Sequence, residues 1–235
     1  MGRKLRHVLI FLLIILKEPN TPDSLGNCNC ETIADCDCKP SSQHCRKGLT
    51  SIPQKLPTSL SLLDLRLNQI TKIHSGAFTN LPKLQELPLE GNQITTIPPG
   101  TFANLPELQY LFLQRNKITT IHPGAFTNLP QLQKLSLSYN QITTIHSGAF
   151  TNLPKLQGLP LEDNQITTIP PGTFANLPEL QHLFLQGNQI TTIHSGAFVN
   201  LPQLQKLSLR SNQITTIHSG AFANLTQLQS VNTFS

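Results

Sequence analysis

The chain is 235 residues long, has 12% charged and 6% aromatic residues, lacks Trp and carries a formal net charge of +5. Its length allows one or two domains, and so few charges among so many Leu, Ile, Thr, Asn and Gln fit a generic globular enzyme poorly. Such bias points to a repetitive architecture, so internal self-similarity is the first thing to test.

Taken in chain order, the N-terminus reads as a secretion signal. Arg3, Lys4, Arg6 and His7 precede the apolar run 8–16, VLIFLLIIL. Nine apolar residues are too few for a bilayer, which needs ~20. Ser24 and Gly26 supply small residues before a cut after Gly26. A short membrane anchor is the alternative. Removing residues 1–26 takes away four basic and two acidic residues, leaving thirteen against ten. So small and scattered an excess argues against a nucleic-acid partner. The expectation is a secreted, extracellular protein with no membrane span in the mature chain.

Residues 27–59 hold all five cysteines, Cys28, Cys30, Cys36, Cys38 and Cys45. Close spacing after a signal reads as disulfides that staple a small cap; a zinc site is the alternative. Five is odd, so one thiol is left over, either free or bridging two chains.

From Leu60 the pattern LxxLxLxxNxI starts every 24 residues, at Leu60, Leu84, Leu108, Leu132, Leu156, Leu180 and Leu204. These seven units fill 60–227, and an eighth start at Leu228 fades into a partial repeat, 228–235, with no Cys-rich cap. The spacing resembles the leucine-rich repeat over residues 49–235. Independently of that, LxL alternation is strand-like, and no unit can bury its Leu, Ile and Phe alone, so units must stack. The fold class expected is α/β: a horseshoe solenoid with a parallel β-sheet on the concave face and turns with short 3₁₀ pieces on the convex face. A recurrent Asn (Asn68 to Asn212) should satisfy backbone groups, a recurrent Phe (Phe78 to Phe222) should form a spine, and a recurrent Gly (Gly76 to Gly220) should mark a turn. Pro88 and Pro160 fall mid-strand, where a missing N–H should kink the ladder. With no Cys after Leu228, the C-terminal end is expected either to be truncated or to be covered in a homodimer, which the spare Cys could also link.

No nucleophile elbow, phosphate loop or HExxH occurs, so no catalytic residue, metal or cofactor is assigned. Glu162 and Asp163 are expected on a rim beyond their strand. His74, His122, His146, His194 and His218 share one repeat position; they read as solvent-side turn residues rather than metal ligands. Asn224-Leu225-Thr226 is a candidate glycosylation acceptor.

Residues 81–152 and 153–224 are near-copies, identical at 62 of 72 positions. The ten differences are Glu86/Gly158, Gly91/Asp163, Tyr110/His182, Arg115/Gly187, Lys117/Gln189, Pro123/Ser195, Thr127/Val199, Ser138/Arg210, Tyr139/Ser211 and Thr151/Ala223. Six lie at outward x positions of LxxLxLxxN, where about two would fall at random, and none touches core Leu, Ile, Phe or Asn. Drift of an unconstrained surface is one account; diversification for binding is the other, favoured because convex surface changed less. Both Tyr residues, and the only repeat-region Phe residues outside the spine, Phe112 and Phe184, also stand at x positions. The candidate ligand-binding face is therefore Glu86, Tyr110, Phe112, Gln114, Arg115, Lys134, Ser136, Ser138, Tyr139, Glu162, His182, Phe184, Gln186, Lys206 and Arg210.

The Cys-rich segment, GLTSIPQKLP and NQITTIxxGxFxNLPxLQ together resemble extracellular leucine-rich repeat receptors, most of all the variable lymphocyte receptors of jawless vertebrates and their lancelet relatives, with Slit and Toll-like receptor ectodomains further off. The resemblance implies an immune role, with the concave sheet binding microbial surface glycans or glycolipids, or protein antigens. It also implies Cys30–Cys38 and Cys36–Cys45 disulfides with Cys28 spare, although a wide Cys30–Cys36 gap lets Cys28 replace Cys30. The family's C-terminal Cys cap and stalk or lipid-anchor signal are not matched, which favours a soluble form. The alternative function is a developmental adhesion or matrix protein binding one host extracellular protein.

Overall fold

The computed structural model describes residues 36–39, 41–45, 48–54 and 56–232. Segment 1–26, Cys28 and Cys30 lie outside the described residues, and with them the secretion signal, the Cys30–Cys38 pairing and the spare Cys28.

Each repeat folds into a short strand because Leu recurs with period two over LxL and nowhere else. The strands are only three residues long: β3 (Leu62–Asp64), β4 (Glu86–Pro88), β5 (Tyr110–Phe112), β7 (Lys134–Ser136), β9 (Gly158–Pro160), β10 (His182–Phe184), β12 (Lys206–Ser208) and β14 (Ser230–Asn232). An N-terminal pair, β1 (Cys36–Lys39) and β2 (Ser42–Cys45), precedes them. Together they form one ten-stranded sheet in the order β1-β2-β3-β4-β5-β7-β9-β10-β12-β14. β1 and β2 are antiparallel, β2 meets β3 in parallel, and every later pairing is parallel in a 24-residue register, as in Tyr110 beside Lys134. Equivalent residues therefore line up in rows across the sheet.

The first, fourth and sixth residues of the motif point inward. From Leu60 to Leu209 every one of these leucines is at most 1% exposed. Behind them the recurrent Phe rings stack in series, Phe78 to Phe222, with centroids 5.6–6.1 Å apart. Parallel stacking at this separation adds to the burial of large apolar surface. Truncating one such leucine to Ala costs roughly 2–5 kcal/mol.

The recurrent Asn fastens each repeat to the one before. Asn116 donates Nδ2–H to the carbonyls of Leu113 and Leu89, both at 3.0 Å, and its Oδ1 accepts the Ile94 N–H at 3.0 Å. The same three bonds recur at Asn92, Asn140, Asn164, Asn188 and Asn212. A second Asn row, seen at Asn80, Asn128, Asn152, Asn176, Asn200 and Asn224, turns the chain with φ between 57° and 66°, a region Asn tolerates better than most residues.

Two expectations fail on the other side of the solenoid. Among the described residues there is no helix, either α or 3₁₀, so the α/β class gives way to a β-solenoid. In place of 3₁₀ pieces, the Thr-Ile segments form two-residue parallel strands: β6 (Thr120–Ile121) with β8 (Thr144–Ile145), and β11 (Thr192–Ile193) with β13 (Thr216–Ile217). β-Branched Thr-Thr-Ile favours extended backbone, and the Gly and Pro around it leave no room for a helical turn.

The prolines do not break their strands. Instead they shorten the pairing on one side. β4 keeps three register pairs with β5, ending at Pro88–Phe112, but only Leu62–Glu86 with β3. β9 likewise keeps three pairs with β10 and only Lys134–Gly158 with β7. The fifth motif residue turns its nitrogen toward the preceding strand, so proline removes a bond there and leaves its own carbonyl to accept from the preceding repeat's sixth residue, as Pro160 does from Leu137 at 2.9 Å.

At the N-terminal end, Cys45 is fully buried and is not a free thiol. Its opposite number across the antiparallel pair is Cys36. Next to them the fully buried Asp64 meets His44 Nδ1 at 2.9 Å and Arg66 Nε at 2.8 Å, which satisfies a carboxylate that would be costly to bury alone. That carboxylate in turn raises the pKa of Arg66.

Candidate functional site

Four rows carry the candidate residues, and their local backbone decides what each offers. The third and fifth motif residues lie on the strands. The seventh follows the strand, and the eighth is held at positive φ: 57° at Arg115, 54° at Tyr139, 54° at Asp163, 67° at Gly187 and 52° at Ser211. Arg115 and Tyr139 are therefore rim residues on a tight turn. Glu162 and Asp163 also lie beyond β9, on the expected rim.

On the strands, Glu86, Lys134 and Lys206 are exposed, while Tyr110, Phe112, His182 and Phe184 are half-buried. Tyr110 stacks on Phe112 at 6.4 Å and donates its hydroxyl to Gln133 Oε1 at 3.2 Å. Lys134 Nζ lies 5.9 Å over the Phe112 ring. His182 stacks on Phe184 at 6.2 Å, and burial, then the neighbouring Lys206 charge, lower its pKa. At the rim, Arg115 lies 5.4 Å over the ring of Tyr139, which is 50% exposed. The Asp163 side chain, one repeat further on, raises the pKa of Tyr139. Arg115, Tyr139 and Asp163 thus form a chain across three successive repeats.

Two candidates are corrected. Ser136 and Ser138 are buried, 6% and 3% exposed, and present little to a ligand. Ser136 lies in register with Phe112, a much larger side chain in the same row. Ser138 is the short residue in a row where Gln114 and Glu162 flank it. Gln114, Glu162 and Gln186 are half-buried, and each keeps one side-chain oxygen shielded from solvent without a protein partner. Arg210 is exposed.

The strands bring together a depression of about 280 Å³ lined by Tyr110, Gln133, Lys134, Gln157, Gly158, Pro160, Gln181, His182 and Phe184. Gly158 stands where the other copy has Glu86, and without a side chain it leaves room between Lys134 and His182. Gly158, Pro160 and the Gln row lie outside the candidate face read from the sequence; the Glu86/Gly158 difference and the mid-strand proline are the signals for the first two, and the recurrent second motif position is the signal for the Gln row. A larger groove of about 630 Å³, lined by Pro106, Pro130, Pro154 and Pro178 with turn Asn residues, runs along the NLP turns. Its lining residues recur unchanged between the two near-copies, so it does not share the variation of the sheet face.

The His row forms stacked pairs, His122–His146 and His194–His218, each at 5.4 Å, on the solvent side. Among the described residues no three His, Cys, Asp or Glu gather as a metal site, and no helix is long and apolar enough to cross a membrane. Asn224 is exposed.

Comparison with known proteins adds the lineage. The family profile described as leucine rich repeat matches residues 45–94, 58–118, 85–142, 130–190 and 185–232. The chain is 36% identical over 82 residues to leucine-rich repeat-containing G-protein coupled receptor 4 of Bos taurus, covering 35% of this chain and 9% of the receptor. It is 34% identical over 83 residues to the human leucine-rich repeats and immunoglobulin-like domains protein 1, covering 35% of this chain and 7% of that protein. In structure it resembles TLR13 in a complex with ssRNA13 (TM-score 0.70, 35% identity, 75% of this chain and 25% of that one). It also resembles the Toll–Spatzle complex of Drosophila (TM-score 0.72, 26% identity, 80% and 27%). The chain spans less than a tenth of the length of these two sequence relatives and about a quarter of the structural ones.

Proposed function

The chain belongs to the leucine-rich repeat family, and from that premise we propose that it is a secreted immune-recognition protein, similar to variable lymphocyte receptors, that binds microbial surface molecules or protein antigens through the open face of its sheet. The observation that carries this reading is where the two near-copies differ. The differences concentrate on residues that leave the solenoid core untouched, and they change charge or aromaticity. Of the six outward differences in the first copy, Glu86, Arg115 and Tyr139 are exposed and Gly91 and Tyr110 partly so, and the sixth, buried Ser138, becomes exposed Arg210 in the second copy. The Toll–Spatzle neighbour is described as a hub in development and innate immunity, which is in keeping with recognition as the family's work. Recognition of this kind needs no covalent step, so no enzyme activity is assigned; a preorganised surface with aromatic anchors supplies the affinity.

The extracellular part of the proposal rests on the sequence signal, the Cys-rich segment and the exposed Asn224 acceptor. The place of Cys36 opposite buried Cys45 supports a disulfide between them, within the reach of directly opposed antiparallel residues. Peptide mapping without reduction should recover these two cysteines linked. Non-reducing electrophoresis should then show whether the spare cysteine joins two chains.

The second reading, a developmental protein with one host partner, draws support from the same Toll neighbour. A binding screen against bacteria, purified microbial glycans and host extracellular proteins separates the two. Any hit should weaken at least about tenfold, the scale of losing one anchoring contact, in Tyr110→Ala/Phe112→Ala or in Tyr139→Ala. Binding that survives both variants rules out the open face as the site.

A further inference from the structure

The depression over Gly158 has its own chemistry. Its floor is the Gly158 backbone and the buried Pro160 ring. Lys134 borders it on one side, His182 and Phe184 on the other. Gln133, Gln157 and Gln181 line its lower edge as a row one strand apart. Tyr110 donates its hydroxyl to Gln133 Oε1, which leaves the NH₂ donors of Gln133 and the second lone pair of its oxygen to a ligand. The volume, about 280 Å³, suits one six-membered ring with its substituents rather than a chain of residues.

Charge narrows the class. Along the third-residue row, Lys134, Gly158, His182 and Lys206 succeed one another with no carboxylate among them. The nearest acidic groups on the same face are Glu86, two strands beyond Lys134 and so roughly 10 Å away, and Glu162 with Asp163 at the upper rim. A polyanion laid across the sheet would meet these carboxylates, whereas a ligand with a single negative charge can place it toward Lys134, away from Glu162. A bare anion would leave the amide row and the Pro160 and Phe184 rings unused. The flat apolar rings, the amides and the flanking cations all suit a hydroxylated ring carrying one carboxylate.

We propose that this depression binds one acidic sugar residue, of the uronic-acid type, within a glycan. Its carboxylate lies toward Lys134, with the Lys206 charge one strand beyond His182 adding to the field, its hydroxyls bond the Gln row, and its C–H face packs on Pro160 and Phe184. The inference rests on the open-face reading above and names the ligand class of one part of that face.

The duplication supplies the control variant. Gly158 does not have a positive φ, and a Cβ there would meet Lys134 Cγ at 3.8 Å, an ordinary contact. Gly158→Glu, which reproduces what the other copy carries at Glu86, should therefore fold while filling the depression with a like charge. The test is an NMR titration of the full mature chain with methyl glucuronide, methyl glucoside, a polyglutamate peptide and a single-stranded oligonucleotide. The expected result is saturable shifts at the Gly158 amide and the His182 ring with the glucuronide. The glucoside should bind at least about tenfold more weakly, as should the glucuronide to Lys134→Gln/Lys206→Gln, as expected for loss of a charged partner. Gly158→Glu should abolish the glucuronide shifts, while His146→Gln, outside the sheet, should leave them unchanged. Equal binding of glucoside and glucuronide, full binding to Gly158→Glu, or shifts at Gly158 only with the peptide or the oligonucleotide would overturn the assignment. A screening hit lost in Tyr139→Ala but unmoved in Gly158→Glu, with no response to glucuronide, overturns this site and leaves open-face recognition standing.

Discussion

Gly187 stands where the other copy has Arg115, and the backbone explains why both occur. The eighth motif residue turns at positive φ, so glycine is at ease there and any other residue is mildly strained. Leu67, Arg115, Tyr139, Asp163 and Ser211 accept that strain, and at Arg115, Tyr139 and Asp163 it is offset by contacts with one another. Gly187 is constrained from a second side: a Cβ there would overlap Asp163 Oδ1. Gly187→Ala should therefore lose roughly 1–3 kcal/mol of stability in urea denaturation. Adding Asp163→Ala should return the part due to overlap and leave about 1 kcal/mol of backbone cost. His182 gives a pH signature. Its folded pKa lies below the ordinary 6.5, chiefly through burial and then through Lys206, so the folded state holds fewer protons on this ring than the unfolded chain. Its contribution to stability is fully present above pH 6.5 and is lost as the pH falls through the folded pKa. The urea midpoint should drop between pH 7.5 and 5, and the His182→Gln variant should drop less.

At the scale of the strand, the mid-strand prolines make a local claim. Pro160→Ser, which supplies the residue found at Ser136 and Ser208, restores an N–H aimed at the preceding strand. Its amide should exchange slowly with solvent, and pairing with β7 should extend beyond Lys134–Gly158. A rapidly exchanging amide at 160 would mean that something other than the missing N–H separates these strands. Removing an Asn rung has the opposite sign. Asn140→Ala leaves the Ile118 N–H without its partner, while the Leu113 and Leu137 carbonyls keep one amide donor each from Asn116 and Asn164, and should cost roughly 1–3 kcal/mol, the scale of one buried unsatisfied group. Much of this element-level design was legible beforehand, because a 24-residue period makes identical environments and a pattern repeated seven times declares which residues are inside. The parts that escaped depend on neighbours in space. That Ser136 is buried beside Phe112, or that the eighth residue turns at positive φ, depends on what lies one strand over and on where a three-residue strand stops. Likewise Thr-Thr-Ile signals extended backbone as readily as a turn, and only stacking decides in favour of paired strands.

For the whole molecule, stability is close to a sum over repeats and their junctions. Excising residues 81–152 would join Asn80 to Leu153, and the residues just before the cut, HSGAFTN, are the same at 74–80 and at 146–152. The shortened chain should fold with an unchanged circular-dichroism signature per residue. The one contact needing adjustment is Asp163 arriving beside Leu67, whose exposed side chain can move. Failure to fold would show that the repeats depend on partners further away than their neighbours.

The fixed register has a consequence for inheritance. Since residue n always lies against residue n+24, copying a stretch of gene that spans a whole number of repeats inserts new strands without asking the core for any new solution. The molecule can lengthen, shorten or swap segments between copies, and each such event redraws the order of side chains across the open face. Ligand preference can thus change by rearrangement alone, before any single codon mutates.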